Sequence, residues 1–505
     1  MILFLSFYFT FVQFRSIFNI PNLILMLRVF MTVSYKAGFI DLLLKKGSLE
    51  LGDRTLKSKR LSPYFVNTGN ISDGVGIGQF GDSYSAVAEG LVSEGDVVFG
   101  PAYKGIPLAT AVAISLASTG TNVGYAFDRK EAKDHGEVTS KDDLQRAMII
   151  GSNISNGSRI LLVDDVLTTG GTKYDSIELL NRIADGLEYL GLIIGVDRQE
   201  VGIGSNALSS SEQFTQQTGI PVYSVVTASE IYQYLRTRGD VDQRAVDRMG
   251  AYLRVYGNKD ARESVGKNEE QIIIPRDRSI VPACDIDSIE KFEQLVRETA
   301  DVEAIGGYKV GFELGLLYSL PNVVEVVRIN APGKAVIYDH QKAGTDIPDT
   351  GKNFARVMKR SGVDAVIFFP QAGPETERAW IYHALDNGLK VIVGGWMTHP
   401  AYTQSEGGFI LDSAALDIYR IAARAGVNNF VVPGTKPDVV ENVRDLIRLE
   451  GIDPIFYPTG FVTQGGSFES MKSILGDRWH GIVGRAITGS KDMKSAALEQ
   501  TKCVS

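Results

Sequence analysis

Two α/β domains in tandem are what the 505-residue sequence predicts, a doubly wound parallel-sheet domain followed by a (β/α)8 TIM barrel. Three observations predict it. The length exceeds one ordinary domain, so two or three are expected. Strand-like apolar runs alternate with helical stretches from Ala37 to about Tyr256, and the alternation restarts after a polar stretch over 257–272. In the second stretch the strand candidates number eight, the count of a closed barrel.

In the first alternation DVVFG (96–100), NVGYAF (122–127), RILLVDD (159–165) and LGLIIGVD (190–197) are nearly continuous apolar runs, as parallel strands covered on both faces are. PLATAVAISLAS and TKYDSIELLNRIADG read as helices between them. Ligands of such a sheet sit at the carboxyl ends of its strands. Residues 257–272, GNKDARESVGKNEEQI, have no apolar period and read as a linker. The second alternation gives SIVPAC (279–284), GYKVG (307–311), KAVIYD (334–339), DAVIFF (364–369), KVIVGG (390–395), NNFVVPG (428–434), PIFYP (454–458) and GIVGR (481–485), with helix-like segments between. The expected domains are therefore 31–256 and 273–489, with a polar, disordered tail over 490–505.

Composition narrows the function classes. Apolar residues are 44% and charged residues 22%, the balance of a globular chain with large cores. A net charge of -8 argues against a sequence-independent nucleic-acid binder, which needs a basic face against phosphates. Only Cys284 and Cys503 occur, far apart, which excludes a disulfide framework and fits a reducing, cytoplasmic compartment. The apolar, aromatic stretch over 1–30 has no uncharged run long enough to span a bilayer and no signal-peptide pattern. An early start, a membrane-surface anchor and a degenerate spanning segment all remain readings of it. Ordinary soluble patterning from Met31 favours the first, and membrane contact is expected only if the segment is real.

The strongest local signal is LLVDDVLTTGGTKYDS. A buried strand runs into Asp164 and Asp165, and Thr168, Thr169, Gly170, Gly171 and Thr172 then open a helix. Glycines let backbone approach a phosphate, and the N–H groups of a helix N-terminus point at it. The paired acids suit ribose hydroxyls or a magnesium held through substrate oxygens. This pattern resembles the type I phosphoribosyltransferases. TLKSKRLSPYFVNTG (55–69), FGPAYKGIPLA (99–109) and FDRKEAKDHGE (127–137) narrow the resemblance to orotate phosphoribosyltransferase over roughly 35–255. The resemblance implies catalysis by Lys133, His135 and Asp165. Binding of phosphoribosyl pyrophosphate with Mg2+ falls to Lys57, Tyr103, Lys104, Arg129, Lys130 and the acid–threonine–glycine loop. Tyr64, Phe65 and Arg198 would bind orotate. Arg129, Lys130, Lys133 and His135 would form a cationic lid closing over a neighbouring subunit's site, so a homodimer is expected. Taken alone, that charge run is the ordinary pattern of a solvated face. After HGE the chain reads VTSKDDLQRAM where the family turns through glycines, which implies a longer or stiffer lid.

In the barrel, Asp285, Lys309, Asp339, Lys342 and Asp346 follow the first three strands, where charged residues read as catalytic, or else as an ion-pair belt. Gln464, the amides of Gly465 and Gly466, and Arg485 beside Gly484 follow the last two strands, where such barrels grip phosphate. This half resembles orotidine 5'-phosphate decarboxylase over roughly 277–488. The resemblance implies a cofactor-free Lys-Asp-Lys-Asp array of Lys309, Asp339, Lys342 and Asp346, the last from a partner subunit, with Asp285 and Thr398 at the nucleotide. The family spaces these as D-x-K-x-x-D, whereas this chain reads D-H-Q-K-A-G-T-D. On a strand the shift from i+2 to i+3 turns a side chain to the other face. A bulge or early turn must restore it, or His340 takes the first place. The two halves in this order resemble the bifunctional uridine monophosphate synthases, with orotate, phosphoribosyl pyrophosphate and orotidine 5'-phosphate as substrates. The competing readings are a nucleotide-sensing regulator, and an active transferase with a barrel of altered or no activity.

Overall fold

A computed structural model gives the fold and describes residues 35–131, 140, 147–167, 171–204, 208–266, 271–339, 345–460 and 468–504. The stretch 1–30 lies outside them. Two compact units divide the chain, Met1–Leu56 with Leu61–Glu200 and Leu208–Val246, and Lys57–Arg60 with Val201–Ala207 and Asp247–Ser505.

The first unit opens, after a helix over 35–45, on an antiparallel pair, β1 (Leu49–Thr55) and β2 (Leu61–Val66). A six-stranded sheet follows, built from β3 (Val97–Phe99), β4 (Gly124–Asp128), β5 (Ile149–Gly151), β6 (Arg159–Val166), β7 (Glu188–Asp197) and β8 (Val222–Thr227) in the order β5-β4-β3-β6-β7-β8. All neighbours are parallel except β5 against β4. The four runs read as strands from sequence are β3, β4, β6 and β7. Covered on both faces, β6 buries Ile160, Leu161, Leu162 and Val163 completely. Pairs β1–β2 and β4–β5 escaped the sequence reading because LELGDRT is polar and IIG is three residues long.

In the second unit β9 (Arg278–Cys284), β10 (Gly307–Val310), β11 (Ala335–Asp339), β12 (Ala365–Phe368), β13 (Lys390–Gly394), β14 (Asn429–Pro433), β15 (Ile455–Thr459) and β16 (Trp479–Val483) close a parallel barrel. Each of the eight runs counted in the sequence falls on one of these strands. Val281, Ala283, Ile337, Ile367, Ile392, Val431 and Ile482 pack into one core cluster. These positions alternate along their strands, as a packed barrel interior requires.

The tail is a correction. Residues 493–501 form a helix, and Met493 and Ala497, four apart on one face, are buried. Asp492 caps it by accepting from the Ser495 N–H at 2.9 Å, and the Met493 N–H donates to Glu298 at 3.2 Å. The stretch read as linker also carries a helix, Lys259–Val265, capped by Asn258. Gln271 is buried and accepts from the Val391 N–H through its side chain at 3.1 Å.

Candidate active sites

At the carboxyl end of β6, Asp164 and Asp165 are both buried. One oxygen of Asp165 accepts from the Thr68 hydroxyl at 2.7 Å and from Lys104 Nζ at 2.6 Å. Asp164 pairs with Lys173 Nζ, which also donates to the Val166 carbonyl at 3.0 Å. The Tyr84 hydroxyl donates to the Asp164 carbonyl at 2.8 Å. Burial raises the Asp164 carboxyl above its ordinary range, against the pull of Lys173. Burial acts upward on Asp165 as well, but the hydrogen bonds from Lys104 and Thr68 outweigh it and hold this carboxyl below its ordinary value. Adjacent acids are thus pushed apart, each with its own lysine.

Gly171 and Thr172 open the helix Gly171–Ile183. Thr168, Thr169 and Gly170 lie outside the described residues. Tyr103 is exposed beside Lys104 in the turn after β3. Asp128, the last residue of β4, is buried and ties the turn after β3 to the helix Gly171–Ile183. It accepts from the Ala102 N–H at 2.6 Å and the Ser176 hydroxyl at 2.9 Å. Arg129 is half-buried and Lys130 exposed just beyond it. Lys133 and His135 lie outside the described residues.

Tyr64 on β2 is fully buried, and the Arg198 guanidinium lies over its ring at 4.3 Å. Arg198 also donates to Glu200 through Nε at 2.9 Å and to the Ser62 hydroxyl at 3.1 Å. Its charge is therefore shared with Glu200. Phe65, the next residue, is half-buried, and strand alternation sends it to the other face. Lys57 is exposed in the turn between β1 and β2 and groups with the second unit. Sequence reasoning missed Thr68, Asp128, Lys173 and Glu200. Lys173 directly follows the threonine–glycine loop, a signal that could have singled it out. Nothing in sequence pairs Thr68 with Asp165.

At the carboxyl ends of the first three barrel strands, Lys309 Nζ lies 2.9 Å from Asp339 and 3.3 Å from Asp285. Lys309 is buried, Asp339 half-buried and Asp285 exposed. Burial would lower the Lys309 ammonium, but Asp339 and Asp285 more than offset it and raise it above its ordinary value. Lys309 pairs with Ile337 across the β10–β11 register, and Asp339 stands two residues on, on the same inward face. Asp339 itself thus stands beside Lys309. His340 and Lys342 lie outside the described residues.

Asp346 is exposed and accepts from the Ile347 N–H at 2.7 Å. Within this chain it is not brought against Lys309. Its carbonyl accepts from the Thr376 hydroxyl at 2.9 Å. Thr398 is half-buried in the loop after β13. Gly484 caps the short helix Arg485–Thr488, and Arg485 is exposed at its start. Gln464, Gly465 and Gly466 lie outside the described residues. Among the described residues no group of three His, Cys, Asp or Glu side chains could hold a metal ion.

Comparisons with known proteins agree with this division. A family model described as a phosphoribosyl transferase domain matches residues 85–185, and one described as the orotidine 5'-phosphate decarboxylase / HUMPS family matches residues 278–500. The orotate phosphoribosyltransferase of Nitrosococcus oceani is 38% identical over 225 residues, covering 44% of this chain and 96% of that protein. Its counterpart in Chromohalobacter salexigens is 38% identical over 232 residues, 45% of this chain and 94% of that protein. The solved orotidine 5'-monophosphate decarboxylase from Methanocaldococcus jannaschii aligns with 45% of this chain and 99% of its own at 24% identity and a TM-score of 0.40.

Proposed function

The chain belongs to the orotate phosphoribosyltransferase family and carries a second, orotidine 5'-phosphate decarboxylase domain, and we propose on that premise which residues perform the two reactions. It is a bifunctional enzyme of pyrimidine biosynthesis ending in uridine monophosphate. In the first reaction orotate displaces diphosphate from phosphoribosyl pyrophosphate. Asp164 and Asp165 take the ribose hydroxyls, while Gly171, Thr172 and the preceding loop cradle the 5'-phosphate through N–H groups. Two acids already engaged by Lys173 and Lys104 fit a magnesium held mainly through the sugar diphosphate's own oxygens. That ion would share the charge of the leaving diphosphate. Lys104 and the lid of Arg129, Lys130, Lys133 and His135 meet the same anion, with Lys57 and Tyr103 at its rim. Arg198 and the backbone at Tyr64 and Phe65 hold orotate. The lid serves the site of a second subunit in a homodimer.

In the second reaction orotidine 5'-phosphate loses carbon dioxide without a cofactor. The observation that carries this reading is the buried Lys309 ammonium held between Asp285 and Asp339 at three adjacent strand ends. Lys309 fixes the Asp339 carboxylate, which faces the substrate carboxylate and orients Lys342. An ammonium at C6 meets little charge in the substrate and a full negative charge as carbon dioxide leaves, so its stabilisation grows along the reaction. Lys342 then gives C6 its proton. Asp346 reaches the site of a second subunit, Thr398 contacts the pyrimidine, and Gln464, Gly465, Gly466, Gly484 and Arg485 grip the phosphate. All three substrates are small anions, and we place the enzyme in the cytoplasm, in keeping with its two unpaired cysteines.

Purified protein given orotate, phosphoribosyl pyrophosphate and magnesium is expected to form uridine monophosphate. Accumulation of orotidine 5'-phosphate would overturn the barrel assignment. Lys342→Ala should abolish decarboxylation and spare transfer, and Lys133→Ala should do the reverse. Equal loss of both activities in either variant would point to structural damage instead.

A further inference from the structure

The barrel holds a second ammonium surrounded by acceptors, away from Lys309, on the half-buried Lys436. Lys436 lies in the turn between β14 and the helix Pro437–Leu449, and its own N–H is fixed to the Pro433 carbonyl at 3.0 Å. Its Nζ donates to the Met397 carbonyl at 3.1 Å, to the His399 carbonyl at 3.5 Å and to the Glu406 carboxylate. An ammonium has three donors and no acceptor, and here three acceptors match them. All three belong to the loop after β13.

Glu406 is equally committed. Its two oxygens also accept from Trp396 Nε1 at 3.4 Å and from the Tyr402 N–H at 3.3 Å. The base of the same loop is pinned by the Tyr402 hydroxyl, which donates to the Gly395 carbonyl at 3.0 Å, and by the Trp396 N–H on the Tyr419 hydroxyl at 3.1 Å. Between the two carbonyls that Lys436 holds stands Thr398. Fixing the Met397 carbonyl fixes the peptide plane that carries the Thr398 N–H, because a peptide unit is rigid. A loop residue can then hold a set direction at a strand-end site.

We propose that Lys436 and Glu406 are positioning residues for decarboxylation, acting through Thr398 by locking the loop after β13 across to the loop after β14. This rests on the reading of Thr398 as a pyrimidine contact. Lys436 does not meet substrate, since its three donors are spent within the protein. It sets the aim of a residue that does.

The test compares Lys436→Met, Thr398→Ala and the double variant in the full chain, with orotate transfer on the same polypeptide as the concentration control. Thr398→Ala should slow decarboxylation, and Lys436→Met should slow it on the order of tenfold to a hundredfold, the cost of a misaimed group. The double variant should be little worse than Thr398→Ala alone, because the latch has nothing left to aim. Glu406→Gln, which keeps an acceptor and loses the charge, should fall between wild type and Lys436→Met. If Thr398→Ala is damaging and Lys436→Met is harmless, or the two losses multiply, the positioning role is wrong while the Thr398 reading stands. If Thr398→Ala is harmless, the Thr398 reading fails and this inference with it.

Discussion

Lys173 shows how much one side chain can decide. It is buried against buried Asp164, and removing one member of such a pair leaves an uncompensated charge. Lys173→Met is expected to cost about 3 kcal/mol or more of transferase-unit stability. Thermal melts should shift down and orotate transfer should fall, while decarboxylation on the same chain persists. His480 makes the opposite case, a group kept neutral. On β16 its Nδ1 lies 2.8 Å from the Ser279 hydroxyl, and burial with Arg276 and Arg478 nearby pushes its pKa down to about 3. The unfolded histidine takes up a proton below about pH 6.5, whereas the folded one does not until far lower. The unfolded state therefore binds more protons in that window, so stability is full above pH 6.5 and falls with pH by up to about 1.4 kcal/mol per unit. Urea midpoints at about pH 5 and about pH 7 check this. His480→Gln should flatten the dependence, and an unchanged slope would assign it to other groups.

Elements set where the loops end. The helix Pro374–Asp386 holds the Asp346 loop at two points, the Thr376 hydroxyl on the Asp346 carbonyl at 2.9 Å and Trp380 Nε1 on the Ile347 carbonyl at 3.2 Å. It can lie there because its neighbour, Thr350–Ser361, offers Gly351, where a Cβ would stand 2.7 Å from Trp380 Cδ1. Gly351→Ala should therefore destabilise the barrel by about 1–3 kcal/mol, the usual cost of overpacking. A drop in the urea midpoint of the decarboxylase activity, with transferase unaffected, is the expected result. A neutral variant would mean that the tryptophan swings aside freely.

At the scale of the whole molecule, each compact unit has its own strands and core, so unfolding need not be all-or-none. Calorimetry should resolve more than one transition. A uridine monophosphate analogue at a hundred times its dissociation constant should stabilise the barrel transition by about 2.7 kcal/mol and leave the other in place. A single transition moving as one would contradict this.

The chain itself determined the number and order of the barrel strands, because strands buried on both faces must be apolar along their length. It also marked the acid pair at the carboxyl end of β6 and Lys309 with Asp285 and Asp339 at barrel strand ends, since strand ends mark where such folds bind ligands. The tail was misread because its two buried apolar residues, Met493 and Ala497, are too few to give an apolar period. Only the tertiary structure decided which charge meets which. Asp165 takes Thr68 and Lys104, 97 and 61 residues away, while its neighbour Asp164 takes Lys173. It likewise set Asp339 beside Lys309 and spent the Lys436 ammonium on one loop. Coulomb and hydrogen-bond energies depend on distances of a few ångströms, and those follow from which strands lie side by side rather than from spacing along the chain.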